Sequence, residues 1–209
     1  MDITDALSPE KHAQILRGAA EVFAADGYEG ASMARIATVA GVSKGTLYNY
    51  FPSKAALFTA FVQDQCDRNL AHIFDAADHD GDPATVLAGI CRRMMQMMLS
   101  PVGLTIYRVM IAEAAKFPEL AQSFFELGPE RGIRSMAAWL SEETRRGRLQ
   151  VPDPEFAAGQ FFAMSQNVLV LRRRLGLLLD PPAAELERIV DGAVTMFLAT
   201  YAVRDAATA

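Results

Sequence analysis

The chain has 209 residues, 51% of them hydrophobic and 22% charged, enough to bury a core without staples and too apolar for a disordered chain. Twenty basic side chains against 25 acidic ones give a net charge of −5, so a nucleic-acid surface must be local if there is one. Two cysteines and three histidines exclude a disulfide framework and make zinc or multi-histidine chemistry thin, so no metal and no cofactor are expected.

Apolar spacing is helical nearly throughout, and no alternating run predicts a sheet, so an all-α fold is expected. Breakers at Gly27, Gly41, Pro52, 78–83, 100–103, Phe117-Pro118, Gly128-Pro129, 147–154 and 180–182 cut the chain into about nine helices. The first is predicted over 9–26. Ser8 serves as its N-cap, Pro9 opens it, and Gly27 stops it. Ile15, Leu16, Ala19, Ala20, Phe23 and Ala24 form its apolar stripe. Helices near 32–40 and 43–51 follow, and a long one begins at 53. In that fourth helix Leu57, Phe58, Phe61, Val62, Leu70, Ile73 and Phe74 keep the helical rhythm up to Asp78. A soft boundary at residue 54 separates a three-helix head, 1–54, from a larger helical part, 55–209. No stretch reaches the ~18 apolar residues of a membrane span. The polar start MDITDALSPEK is unlike a signal peptide. A cytoplasmic protein with no membrane partner is the expectation.

Residues 33–50, MARIATVAGVSKGTLYNY, fit a helix-turn-helix. Gly41 sits at the turn, where a positive φ is needed, and Ala37 is small enough for a tight crossing. Ile36, Ala40, Val42 and Leu47 supply the small core. The second helix, opened by Ser43, is short, as a recognition helix is. Residues 30–54 hold Arg35, Lys44 and Lys54 and no acid. Each base falls in the first turn of a helix that begins at Ser32, Ser43 or Ser53, against the macrodipole. The missing anions are therefore expected from outside, as phosphates. Gly45 reads either as a point of close backbone approach to DNA or as a frayed first turn. Tyr48 and Tyr50 carry hydroxyls that reach phosphates or bases, although Tyr50 is equally readable as a wedge against the first and fourth helices.

The run Phe23-Ala24-Ala25-Asp26-Gly27-Tyr28, then Ala31-Ser32-Met33, Ile36-Ala37 and Ala40 through Lys54, resembles the TetR family of transcriptional regulators over roughly residues 12–60. The resemblance implies DNA contacts from Ser32 and Arg35 in the second helix. Further contacts are implied from Ser43, Lys44, Gly45, Thr46, Tyr48 and Asn49 around the third, and phosphate contacts from Tyr50 and Lys54. It also implies a second part devoted to dimerisation and small-molecule sensing. Arg108 through Leu120, then Phe124-Phe125 and Gly128-Pro129, are similar to the AefR-like group of TetR C-terminal domains.

Residues 55–209 carry 15 basic and 19 acidic side chains and should not hold DNA. Met94, Met98, Tyr107, Met110, Phe117, Phe125, Trp139, Phe161 and Met164 are candidate effector contacts or plain core, since methionine suits both uses. Glu113 and Asn167 could orient a ligand, and Glu113 could equally pair with Lys116 or an arginine. Helices are predicted over 153–174 and 183–203; the last is apolar on two sides, which implies burial against a core and against a second copy, and with a comparable face on the other it would build an intersubunit four-helix bundle. The first offers Phe156, Ala157, Gln160, Phe161, Met164, Asn167, Val168 and Leu171. The second offers Leu186, Ile189, Val190, Ala193, Val194, Phe197 and Tyr201, with Met196, Leu198 and Ala199 beside them. Arg172-Arg173-Arg174 reads as a solvated helix end rather than a nucleic-acid patch. Asp78-His79-Asp80-Gly81-Asp82 fails as an EF-hand, because Gly89 stands where the loop needs its glutamate. Cys66 and Cys91 read as small buried hydrophobes.

These readings converge on a TetR-like repressor, not an enzyme. It would bind a palindromic DNA operator as a homodimer through the last two long helices. A small apolar or amphipathic effector that shifts the fourth helix would release it. The alternative is a small-molecule carrier with a vestigial DNA-binding head.

Overall fold

The first helix, α1 (Pro9–Gly30), begins where the cap signals place it: Ser8 Oγ accepts the Lys11 N–H at 3.4 Å, and Pro9 fills a position whose N–H has no partner in any helix. Gly27, at φ 70°, breaks it, and a further turn runs on to Gly30. This geometry comes from a computed structural model that describes residues 8–75 and 81–203. Asp78, His79 and Asp80 of the rejected calcium loop lie outside the described residues. Among the described residues the fold is all-α. Among those residues the one strand-like pairing is an isolated antiparallel bridge between Leu149 and Ala202.

After α1 come α2 (Met33–Val39), α3 (Lys44–Tyr50) and α4 (Lys54–Leu70), which ends in a π-helical turn over Ala71–Asp75. The larger part continues with α5 (Pro83–Leu99), α6 (Pro101–Glu113), α7 (Pro118–Phe125), a second π-helical turn over Glu126–Glu130, and α8 (Arg131–Arg145). It closes with α9 (Pro154–Ser165), α10 (Val168–Arg174) and α11 (Ala183–Tyr201). The single helix expected over 153–174 is therefore two. The chain breaks at Gln166 and Asn167, where the Asn167 side chain caps α10 by accepting the Leu169 N–H at 2.8 Å. Asparagine competes for backbone donors and so starts helices better than it continues them. Apolar periodicity runs through the break and does not reveal it.

The chain forms two compact units, Met1–Asp67 with Pro101–Leu127, and Arg68–Ser100 with Gly128–Ala209. The first unit reaches past the expected head because α6 and α7 complete its core. Ile106, Val109, Met110 and Leu120 pack in one cluster with Ile15, Phe23, Ile36, Leu47, Phe58 and Phe61. The rings interlock: Phe23 meets Phe58 edge-on at 4.9 Å, and Tyr28 meets Phe58 at 5.2 Å. Each fully buried phenylalanine contributes roughly 1.5–3 kcal/mol.

The second unit is built around Leu87, Ile90, Met95, Met136, Leu140, Phe161, Val190 and Phe197. Cys91 is buried here, which pushes its thiol pKa up, while Cys66 in the first unit is only half-buried. Glu143 is wholly buried near the end of α8. Arg148 pairs with it, Nη2 donating to Glu143 Oε1 at 2.7 Å, and Nη1 also donates to the Gly81 carbonyl at 3.1 Å, so the buried charge is paired. Among the described residues no single helix is long and apolar enough to cross a membrane.

Candidate nucleic-acid interface

The turn between α2 and α3 is tight. Gly41 takes φ 64°, its N–H donates to Thr38 O at 3.1 Å, and the Val42 N–H donates to Ala37 O at 3.0 Å. Only glycine adopts that backbone cheaply. Ser43 then caps α3, its Oγ accepting the Thr46 N–H at 3.0 Å and lying 2.8 Å from Thr46 Oγ1. Ser32 caps α2 through the Arg35 N–H, and Ser53 caps α4 through the Ala56 N–H. All three serines thus hold the roles their spacing predicts. Leu47 is the one fully buried residue of α3. The helix is anchored at a single point and turns its other faces outward.

On that outward surface Ser43, Lys44, Gly45, Tyr48 and Asn49 are exposed and Thr46 is half-buried. Lys44, Tyr48 and Asn49 make no side-chain hydrogen bond or ion pair among the described residues. Of the three bases expected to lack an anion, two have partners within the chain. Arg35 has an anion within its own chain: Asp26 at the end of α1 pairs with its Nε at 2.7 Å, while the arginine side chain stays more than half exposed. Lys54 is committed further. Its Nζ donates to the carbonyls of Tyr28, Glu29 and Ala31 at 2.6, 3.2 and 3.0 Å and lies 4.6 Å from the Tyr28 ring centroid. In this conformation it closes the broken end of α1, whose last carbonyls lack helical donors. Neither partner is visible in the local sequence pattern: Asp26 belongs to the preceding helix, and the carbonyls that Lys54 meets lie at and just after the end of α1. Tyr50 leans on the first helix, one side of its wedged alternative: its hydroxyl reaches Ser8 O at 3.4 Å, and its ring lies near His12 and Phe51.

Two residues missed in the sequence shape this surface from α1. A Cβ on Gly18 would stand 2.7 Å from Ala40 Cβ, so the two backbones touch there. Gln14 Nε2 donates to Ala40 O at 2.6 Å. A glycine in the middle of an apolar helix costs about 1 kcal/mol and so advertises a packing reason, whereas nothing in the pattern singles out Gln14. At the far end of α1, Lys116 pairs with Glu29, which lowers the carboxyl pKa and raises that of the lysine. Phe117 packs on Tyr28 at 5.6 Å, and burial, helped by the Glu113 charge, pushes the Tyr28 hydroxyl pKa up.

The eleven effector candidates divide between the two units. Tyr107, Met110, Glu113, Phe117 and Phe125 belong to the first, and Met94, Met98, Trp139, Phe161, Met164 and Asn167 to the second. Met94, Met98, Met110 and Phe161 are buried core residues, while Phe117 and Phe125 are exposed. Glu113 is buried with Lys116 4.0 Å away, one of the pairings its position suggests. The Asn167 amide is spent on its cap and on the Ser165 carbonyl at 3.3 Å, which leaves it little to offer a ligand. Of the eleven, Trp139 lines a cavity of about 310 Å³, together with Phe74, Ser135, Ala138, Glu142, Glu143 and Arg146. A second hollow of about 350 Å³, lined by Ala84, Thr85, Ala88, Asp191, Val194 and Thr195, contains none of them. Arg172 is exposed, but Arg173 and Arg174 fold back toward Leu178 O and Gln166 rather than standing in solvent.

A glycine turn that sets out a short, outward-facing helix with free lysine, tyrosine and asparagine side chains is the apparatus of a helix-turn-helix DNA-binding protein. Comparison with known proteins narrows the class. Residues 15–61 match the family model described as bacterial regulatory proteins, tetR family, and residues 85–203 match that of the AefR-like transcriptional repressor, C-terminal domain. A crystal structure of a TetR-family transcriptional regulator from Mesorhizobium loti superposes with a TM-score of 0.84 at 31% identity, over 95% of this chain and 100% of that one. The flavonoid-responsive regulator FrrA superposes with a TM-score of 0.78, also at 31% identity and over the same shares of both chains. The HTH-type transcriptional activator FasR of Mycolicibacterium smegmatis is 42% identical over 67 residues, 32% of this chain and 31% of its own length. The match to such curated relatives thus spans about a third of their length.

The chain belongs to the TetR family of transcriptional regulators. Members of this family bind DNA, are typically dimers that answer to small molecules, and are regulators rather than enzymes.

Proposed function

We propose that the protein is a repressor that binds a palindromic operator as a homodimer and leaves it when a small apolar or amphipathic effector binds the larger part. The observation that carries this reading is the uncommitted outer face of α3. Lys44, Tyr48 and Asn49 are exposed there with no side-chain partner among the described residues, beside the exposed Ser43 and Gly45. Lys44 and the hydroxyls of Ser32 and Ser43 meet phosphates. Thr46, Tyr48 and Asn49 read base edges. Arg35 joins them by exchanging Asp26 for a phosphate. Tyr50 and Lys54, tied to α1, act mainly by holding the head together.

Dimerisation through α9, α10 and α11 is supported by apolar side chains of these helices left in solvent. Phe156 is 61% exposed, Val168 70%, Leu171 53% and Met196 63%, while Ala157, Phe161, Val190 and Phe197 point into the core. Two-fold symmetry then sets half-sites about 34–36 Å apart, or a multiple of that. The repressor sense is supported by the AefR-like repressor match over most of the larger part. An aromatic effector is supported by the likeness to a flavonoid-responsive regulator and by the Trp139 cavity, whose size suits a small ligand.

Electrophoretic shift and footprinting on the DNA flanking the protein's own gene test the reading. A specific, palindromic footprint that Lys44→Ala weakens is expected. A protein that binds effector but no DNA site would be a carrier instead. Trp139 is the only tryptophan, so quenching of its fluorescence reports an effector directly.

A further inference from the structure

We infer that Gln14 is a positioning residue of the reading head: it holds the turn of the helix-turn-helix from α1 and does not itself touch DNA. The inference rests on the DNA-binding reading of α3.

Ala40 ends α2 immediately before Gly41, the residue that turns the chain toward α3. Carbonyls in the last turn of a helix have no donor within that helix. Ala40 O obtains one from another helix, the Gln14 amide at 2.6 Å. The orientation of that amide is set on its other side, where Lys11 Nζ donates to Gln14 Oε1 at 3.1 Å, leaving Nε2 to face the turn. One helical turn further along the same face of α1, Gly18 brings the backbones into contact. A Cβ there would lie 2.7 Å from Ala40 Cβ and 2.8 Å from its Cα and N. Two successive turns of α1 therefore act on one residue of the turn, the first by a hydrogen bond and the second by direct contact.

This matters because α3 has little else to fix its direction. It is seven residues long and buries only Leu47, so the angle at which it leaves the turn sets where Thr46, Tyr48 and Asn49 point. A donor held on Ala40 O restrains that angle without taking any part in the outer surface. Gln14 is half-buried against the turn, not placed among the residues that would face a duplex.

The test uses the full-length protein with Gln14→Met, which keeps the length of the side chain but has no donor, and Gln14→Ala as a second variant. The first readout needs no DNA. The Gly41 and Val42 N–H groups are hydrogen-bonded to Thr38 O and Ala37 O, and their exchange with solvent should accelerate about three- to tenfold in both variants, the loss of one neutral hydrogen bond. The second readout is affinity for the footprinted operator as a function of salt. Affinity should fall by a similar factor, with the slope of log K against log salt unchanged. Unaltered exchange at Gly41 and Val42 overturns the inference whatever happens to DNA binding. A slope reduced by about 1 also overturns it, because it would place Gln14 and its Lys11 partner on a phosphate. If the wild-type protein binds no DNA site, the DNA-binding reading falls, and positioning for recognition falls with it. The exchange readout would still show whether Gln14 holds the turn.

Discussion

Gly45 should show opposite effects on folding and on recognition. It occupies the first turn of α3, its φ is not positive, and a Cβ there would meet only Ser43 Oγ, at 3.8 Å, an ordinary contact. Gly45→Ala should therefore stabilise the free protein by up to about 1 kcal/mol through helix propensity and a less disordered unfolded chain. In a protein of this size that raises Tm by roughly 2–4 °C. The same methyl group projects from the exposed face proposed to meet the duplex. If the backbone there approaches DNA closely, overpacking costs about 1–2 kcal/mol, and affinity falls about five- to thirtyfold. Calorimetry and a fluorescence-anisotropy titration on the same preparation measure both effects. A more stable variant that binds as well as the wild type would refute close approach. A destabilised variant would refute the local geometry of α3.

Other expected outcomes follow from packing and charge. Gly18→Ala gains about 1 kcal/mol of propensity but drives a methyl into the backbone of Ala40, so a net loss of about 1–2 kcal/mol is expected in chemical denaturation; equal or greater stability would deny the close crossing. Cys66 should react with a maleimide well before Cys91, whose thiol pKa burial raises, and mass spectrometry of the native protein would detect the reverse order. Arg145 and Arg146 hold the Glu142 carboxyl down at about 2, against an ordinary 4.5. A lowered acid contributes stability that is complete above its unfolded pKa and is lost as pH falls through its folded one. Wild type should therefore lose stability more steeply than Glu142→Gln between pH 4.5 and 2, and parallel acid-unfolding curves by circular dichroism would contradict the pairing.

Local rules made much of this molecule legible. Ser8, Ser32, Ser43 and Ser53 cap helices because a hydroxyl at that position competes for the same orphan N–H groups wherever it occurs. Gly41 turns the chain because its required φ excludes other residues. What depended on distant partners was hidden. Arg35 and Lys54 looked like bases awaiting phosphate, since Asp26 and the carbonyls of Tyr28, Glu29 and Ala31 reach them only after folding. The break at Asn167 was masked by apolar residues that keep their period on both sides of it. Met110 and Leu120 looked like part of the larger domain, yet they pack in the core of the first unit. Gln14, with an unremarkable sequence context, gains its place only from the crossing at Gly18. The candidate site was thus readable where a residue acts through its own backbone, and much less so where it acts through another helix.

The claim that the outer face of α3 meets a duplex is tested most directly by the salt dependence of operator binding in wild type and Lys44→Ala. Lys44 is the one base of residues 30–54 with neither an ion pair nor a hydrogen bond to its side chain among the described residues. Removing it should weaken binding to every sequence alike and lower the magnitude of the log K against log salt slope by about 1 per subunit. An unchanged slope and affinity would mean that the face does not lie on DNA.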